Sequence, residues 1–363
     1  MMQMQAKQEQ SPAFLQQIVG PLLNWYDNNA RILPWRQSTE PYAIWVSEIM
    51  LQQTRVEVVI PYYKRFMQAL PTVQSLAFAK EELLLKLWEG LGYYRRVRNL
   101  QKAAQRICAQ FDGIFPNTYE EILLLPGVGP YTAGAIASIA FGRPTPAVDG
   151  NVLRVIARLT ENDGDIGSAA IKKQITADLA AIYPKKRSGD FTQSLMELGA
   201  LICTPNGAPK CALCPLAHLC RAYANDTQML LPVKAAKEAR RQEKLTVFLL
   251  CDGESIALQK RGQGILLAGL WELPNTIALL NKEEISQWLQ KHGIRAQTIV
   301  KTGVKKHIFT HVEWEMHACV VQVAQREAAA LQFLWANKKM LEAEIALPTA
   351  FKKLLGYWQN GQA

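Results

Sequence analysis

Two acidic residues have surroundings that would drive them toward opposite protonation states. Glu48 lies in Pro41-Tyr-Ala-Ile-Trp-Val-Ser-Glu-Ile-Met-Leu-Gln-Gln-Thr54, one helical turn from Ile44 and Trp45 and beside Ile49. A carboxyl on the apolar side of a helix loses water and its pKa rises, which suits a general acid at neutral pH. Asp149, in Val148-Asp-Gly-Asn-Val152, precedes a helical stretch and can cap it. The positive end of that helix favours the anion. One acid and one permanent anion is the division of labour that cleavage of a glycosidic bond needs. A buried structural glutamate and an ordinary N-cap are the plainer readings of the same residues.

A second chemistry belongs to cysteine. Four of the seven cysteines follow the pattern Cys203-x7-Cys211-x2-Cys214-x5-Cys220. Zinc sites usually join two close ligand pairs across a longer gap, and only one close pair exists here. A single compact loop suits a four-iron, four-sulfur cluster better, with zinc as the alternative. Four thiolates leave no open iron position, so the cluster is expected to be structural and electrostatic. Lys210, Arg221 and Lys185-Lys186-Arg187 would let this region touch a polyanion. Cys108, Cys251 and Cys319 stand among apolar residues and read as small core side chains.

These residues must be held by folded elements. Thr118-Tyr-Glu-Glu121 has capping-box spacing and opens a helix ending at Leu125. Pro126-Gly127-Val128-Gly129 cannot continue it, and Pro130 suits the first position of a second helix. The glycines would expose consecutive N–H groups beside a positive helix end, a nest for a phosphate. Gly134, Ala137 and Ser138 would let the two helices pack closely. An ordinary helical corner is the competing reading of this turn.

From residue 11 to 224 the apolar period is helical, in segments such as 41–66, 81–91, 95–110 and 171–182. Residues 231–244 read as a solvated basic linker carrying Lys234, Lys237, Arg240, Arg241 and Lys244. Beyond it the period falls to two, over 245–250 and again over 308–320, with helices near 282–292 and 340–359. The expected organisation is a polar extension (1–10), an all-α domain (11–225, hairpin 118–142), a basic linker (226–244) and an α+β domain (245–363). At 363 residues and +10 net charge, two cores and a polyanionic partner, nucleic acid above all, are expected. No apolar run is long enough to span a bilayer and the start lacks a signal-peptide core, so the cytoplasm, in a bacterium the nucleoid, is the expected location. A monomer is expected.

The segment Leu125-Pro-Gly-Val-Gly-Pro-Tyr-Thr-Ala-Gly134, with Val148-Asp-Gly-Asn-Val152 and the cysteine loop, resembles the endonuclease III superfamily of helix-hairpin-helix DNA glycosylases. Within it, Pro34-Trp-Arg36, Ser47-Glu-Ile-Met-Leu-Gln-Gln-Thr54, Gly90-Leu-Gly-Tyr-Tyr94 and Met196-Glu-Leu-Gly199 resemble the MutY family of adenine DNA glycosylases, and the resemblance runs from about residue 24 to the C-terminus. It implies double-stranded DNA holding adenine opposite 8-oxoguanine or guanine as substrate, and one [4Fe-4S] cluster on Cys203, Cys211, Cys214 and Cys220. Glu48 would protonate the flipped adenine at N7 and then activate water. Asp149 would stabilise the oxocarbenium sugar, with Tyr131 assisting. Arg36 and Glu197 would line the base pocket, Gln53 and Tyr93 would wedge the duplex, and Gly127, Val128 and Gly129 would grip the backbone. Bifunctional relatives carry a strand-nicking lysine where this chain has Tyr131, and no lysine occurs between Lys102 and Lys172. The resemblance therefore implies a monofunctional enzyme.

The C-terminal part resembles the family's Nudix-like domain through Gly264-Ile-Leu-Leu-Ala-Gly-Leu-Trp-Glu-Leu-Pro274. The acidic metal-binding helix of Nudix hydrolases is missing, which argues against a nucleotide-pool hydrolase. Phe309, Thr310 and His311 resemble the family's Phe-Ser-His loop and would read 8-oxoguanine. One departure is the first cysteine spacing, seven residues where six is usual, and it bears on Cys203. The alternatives are an endonuclease III-like pyrimidine glycosylase/lyase, against which Tyr131 argues, and a non-catalytic iron–sulfur DNA-binding protein, against which Glu48 and Asp149 argue together.

Overall fold

The computed structural model describes residues 11–236 and 239–359. The polar stretch 1–10 and Lys237 of the basic segment lie outside them. The chain divides into two compact units, Met1–Phe78 with Arg98–Ala236, and Ala79–Val97 with Lys237–Ala363.

The described residues of the first unit form helices and no strand. One core of this unit joins Leu15, Ile18 and Leu22 to Val152, Ile156 and Leu159, and to Phe191, Leu195 and Leu198 of the Ser188–Leu201 helix. Each such aliphatic or aromatic side chain contributes roughly 1.5–3 kcal/mol by leaving water. The apolar period across 41–66 conceals a break: one helix runs Pro41–Leu51 and the next Val56–Ala69. Gln53 takes a left-handed backbone (φ 57°), which ends the first helix although the apolar spacing carries on.

The hairpin consists of the Tyr119–Leu123 and Pro130–Ile139 helices. Thr118 accepts from the Glu121 N–H and Pro130 occupies the first turn, as the sequence leads one to expect. Gly134 has a different purpose from the expected one. A Cβ there would meet the Pro146 carbonyl oxygen at 2.0 Å, so it admits the strand-like chain leading to Asp149 rather than the other hairpin helix. Gly189 likewise presses its helix onto Ser138 and Ile139.

The second unit is built on a mixed sheet of seven strands: β1 (Arg241–Asp252), β2 (Ser255–Lys260), β3 (Trp271–Glu272), β4 (Asn275–Thr276), β5 (Ile294–Ile308), β6 (Val312–Arg326) and β7 (Leu334–Asn337). The path is β3-β2-β1-β6-β5, with β1 parallel to β6 and β5 antiparallel to β6. One face holds a core around Trp314, Leu249, Met316 and Phe351, the other a smaller one around Phe248, Ile285 and Val321.

Three boundaries within residues 239–359 differ from the sequence reading. β1 starts at Arg241, inside the expected linker, because Arg241 to Lys244 pair in parallel with Val312 to Glu315. The alternation over 308–320 is not one strand. β5 ends at Ile308, Phe309 to His311 make the turn, and β6 begins at Val312; a tight hairpin preserves alternation through its corner. The expected helix near 340–359 is three short ones, Lys338–Ala343, Thr349–Lys352 and Leu355–Gln359, with Pro348 starting the second.

Residues 79–97 fold with the sheet. Their helix stops at Leu87 rather than continuing to Leu91, because Gly90, Gly92 and Tyr93 all have positive φ. Cys251 and Cys319 are buried as expected, whereas Cys108 is only half-buried. Among the described residues no helix is long and apolar enough to cross a membrane.

Candidate active site and cysteine cavity

Glu48 lies on a helix that is buried nearly throughout, from Tyr42 to Met50, and is itself 5% exposed. Burial pushes its carboxyl up to about 7; the Tyr131 hydrogen bond opposes this, nearby Asp149 adds to it and Arg36 opposes it. The Tyr131 hydroxyl donates to Glu48 Oε2 at 2.6 Å. Tyr131 stands in the first turn of the second hairpin helix, so the hairpin delivers the acid's partner.

Asp149 caps the Gly150–Thr160 helix, with Oδ1 accepting from Val152 N–H at 2.8 Å. Its other oxygen accepts from Asn151 Nδ2 at 2.7 Å. Burial raises its pKa above the ordinary aspartate value, against the cap, Asn151 and Arg154. These donors favour the anion expected from the sequence, while burial opposes it.

Glu48, Tyr131 and Asp149 line a single cavity of about 590 Å3, together with Arg36, Gln53, Gly129 and Glu197. At its other wall Glu197 accepts from Arg36 Nη2 at 2.7 Å and, bidentately, from Arg31 Nε at 2.7 Å and Nη2 at 2.9 Å. Burial alone would raise the Glu197 carboxyl, but these two guanidinium groups outweigh it and bring it down to about 2. A fixed anion flanked by planar donors can read the hydrogen-bonding edge of a flat heterocycle. Arg31 was missed in the sequence; its only signal was a place five residues before Arg36.

The turn of the hairpin is less regular than expected. Gly127 has φ +78°, and a Cβ on it would meet Asn99 Cβ at 2.6 Å, so glycine is required there. Gly129 is extended (φ −101°) and needs no special backbone. The Val128 N–H donates within the turn to Leu125 O at 3.0 Å. The nest is thus narrower than three consecutive exposed amides. Tyr93, Phe309, Thr310 and His311 belong to the second unit. There the Tyr93 hydroxyl lies 3.0 Å from Thr310 Oγ1, and Phe309 packs edge-on to Trp314, ring centres 4.8 Å apart.

Cys203, Cys211, Cys214 and Cys220 line one small cavity with Val155, Arg158, Leu198 and Leu216, and neither histidine nor carboxylate shares it. Among the described residues no group of three or more His, Cys, Asp or Glu is arranged to hold a metal ion. Burial pushes the Cys214 thiol up to about 12, and the other three cysteines add to it. Arg158 Nη1 donates to Cys203 Sγ at 3.3 Å. Arg154 ties the two sites together, donating to Cys203 O at 2.8 Å and to Asn151 Oδ1 at 2.9 Å, and Asn151 in turn holds Asp149.

Residues 46–181 match the HhH-GPD superfamily of base excision DNA repair proteins, and residues 246–357 match the NUDIX domain. The human adenine DNA glycosylase is 38% identical over 354 residues, covering 81% of this chain and 65% of that protein. The mouse adenine DNA glycosylase is 35% identical over 404 residues, covering 93% of this chain and 77% of its own length. The chain belongs to the adenine DNA glycosylase family. It spans somewhat less than two thirds of the human member's length. Among solved structures, a thermostable thymine-DNA glycosylase superposes with a TM-score of 0.52 at 28% identity, covering 61% of this chain and 99% of that one. In this base-excision-repair family setting, the helical unit is the glycosylase fold and the sheet unit the Nudix-like one.

Proposed function

We propose that the chain is a monofunctional DNA glycosylase that releases adenine mispaired with 8-oxoguanine or guanine in double-stranded DNA. The observation that carries this is the Tyr131 to Glu48 hydrogen bond at 2.6 Å inside the cavity that also holds Asp149. An acid with a pKa of about 7 can hand its proton to the departing base, N7 being the site the family implies. The bond from C1′ to the base nitrogen then breaks toward the base, and the sugar's positive charge develops beside Asp149. Glu48, now anionic, takes a proton from the water that adds to C1′, which restores the acid. Tyr131 offers no amine, so no Schiff base forms and the strand stays whole. Arg31, Arg36 and Glu197 grip the base. Extruding it costs roughly a few kcal/mol, offset by Gln53 and Tyr93 wedging into the stack. Phe309, Thr310 and His311 read the opposite 8-oxoguanine.

The four cysteines fit a [4Fe-4S] cluster: four soft donors line one cavity free of competing carboxylate or imidazole, and the Arg158 guanidinium faces a sulfur. When bound, the cluster would stiffen the loop after Leu201 and supply charge beside Arg154 and Arg158. We also propose that the protein acts as a monomer on DNA in the cytoplasm.

Single-turnover base release from duplexes carrying adenine opposite 8-oxoguanine tests the reading, with borohydride trapping alongside. Adenine release without trapping is expected. Efficient trapping, or release of an oxidised pyrimidine but not adenine, would overturn it.

A further inference from the structure

Glu89 is a carboxylate with little access to water, its side chain 9% exposed. Donors that reach it include Lys86 Nζ at 2.9 Å, Lys352 Nζ at 2.8 Å and the Leu347 N–H at 2.7 Å. Lys86 Nζ also donates to Leu341 O at 2.8 Å and Ile345 O at 3.0 Å, where the Lys338–Ala343 helix ends. This latch closes over more than 250 residues of sequence, within one compact unit.

Four residues beyond Glu89 stands Tyr93, in a left-handed conformation (φ 48°) with its hydroxyl 3.0 Å from Thr310 Oγ1. The loop between them is held from its other end by Arg96. Its guanidinium carbon lies 5.3 Å from the centre of the Trp88 ring and 5.5 Å from that of Tyr93, while Nη2 donates to Leu91 O and Gly92 O. A loop with three positive-φ residues has many other conformations open to it, and fixing one requires anchors at both ends.

A desolvated ion pair adds little net stability, and its best-attested use is to select one register over others. We propose that Glu89 is a positioning residue. By latching the Glu81–Leu87 helix to the 341–352 segment, it sets Tyr93 against Thr310. Wedge and recognition loop then meet the base opposite adenine as one surface. This inference rests on the proposed function and names a residue on which its choice of opposite base depends.

The test compares the wild-type chain with Glu89→Gln and Lys352→Met, each with and without Tyr93→Phe. Glu89→Gln leaves two lysines without their shared counter-ion; Lys352→Met removes one partner and keeps the carboxylate, in case the first variant folds poorly. The ratio of adenine release rates opposite 8-oxoguanine and opposite guanine should fall by about five- to tenfold in Glu89→Gln and less in Lys352→Met. In the Tyr93→Phe background neither should lower it further. An unchanged ratio, or effects that multiply, would overturn the proposal. Amide hydrogen exchange over residues 90–94 of the free protein gives an activity-independent readout, and it should quicken in both variants. If the wild-type chain releases no adenine, the proposed function fails and exchange alone decides: unaltered protection refutes the latch.

Discussion

Burial and three neighbours, Tyr131, Asp149 and Arg36, tune the proposed acid Glu48. Burial lifts Glu48 to about 7 and the Tyr131 hydroxyl restrains it. In the proposed mechanism Glu48 must carry its proton, so base release should fall as pH rises through about 7. Tyr131→Phe removes the restraint, so the alkaline limb of the pH–rate profile should shift upward; a downward shift would contradict this assignment. Glu48→Gln should bind the mispaired duplex yet lose roughly 10²–10⁴ in single-turnover rate, the range for removing a general acid. Substantial residual turnover would place the acid elsewhere. Glu48 and Asp149 were legible because each departs from its local pattern, a charge in an apolar stripe and an aspartate before a helix. Arg31 was not: its partner Glu197 is 166 residues away, and no spacing rule reaches that far.

At the scale of the element, the hairpin matters for where it aims Tyr131 and for what passes behind it. Gly134 sits where a Cβ would come within 2.0 Å of the Pro146 carbonyl, on the chain that delivers Asp149 three residues later. Gly134→Ala must therefore displace backbone, at a cost of about 1–3 kcal/mol as for other overpacked sites. Thermal unfolding of the two proteins would measure it, with an unchanged midpoint counting against the close approach. The sequence shows why this hairpin exists, since Thr118, Gly127 and Pro130 each carry a local signal. It does not show that Gly134 serves Pro146, because that contact forms only once the chain has turned back. The 309–311 corner was obscured for another reason: its period of two continues through the turn, and only the pairing of Ile308 with Glu313 reveals two strands.

For the molecule as a whole, the organisation differs from a helical enzyme with an appended recognition domain. Residues 81–91 read as one more amphipathic helix of the first part, and their apolar period resembles their neighbours'. Folded, they group with residues 237–363. The reason is polar and long-range: Lys86 and Glu89 find their partners between Leu341 and Lys352, Glu82 lies 3.9 Å from Lys260, and Tyr93 meets Thr310. Deleting 245–363 would accordingly do more than remove the proposed recognition loop. It would leave Lys86 and Glu89 with only each other among these partners, in a segment whose Trp88 is fully buried in the intact chain. The truncated protein should be nicked by trypsin between Lys86 and Arg96 at doses that leave the full chain intact. Adenine release should slow opposite guanine as well as opposite 8-oxoguanine, because Tyr93 loses its mount whichever base stands opposite. A truncated protein that resists trypsin there and keeps its full rate opposite guanine would show that 79–97 holds its shape without the sheet, and that the C-terminal unit acts through its recognition loop alone.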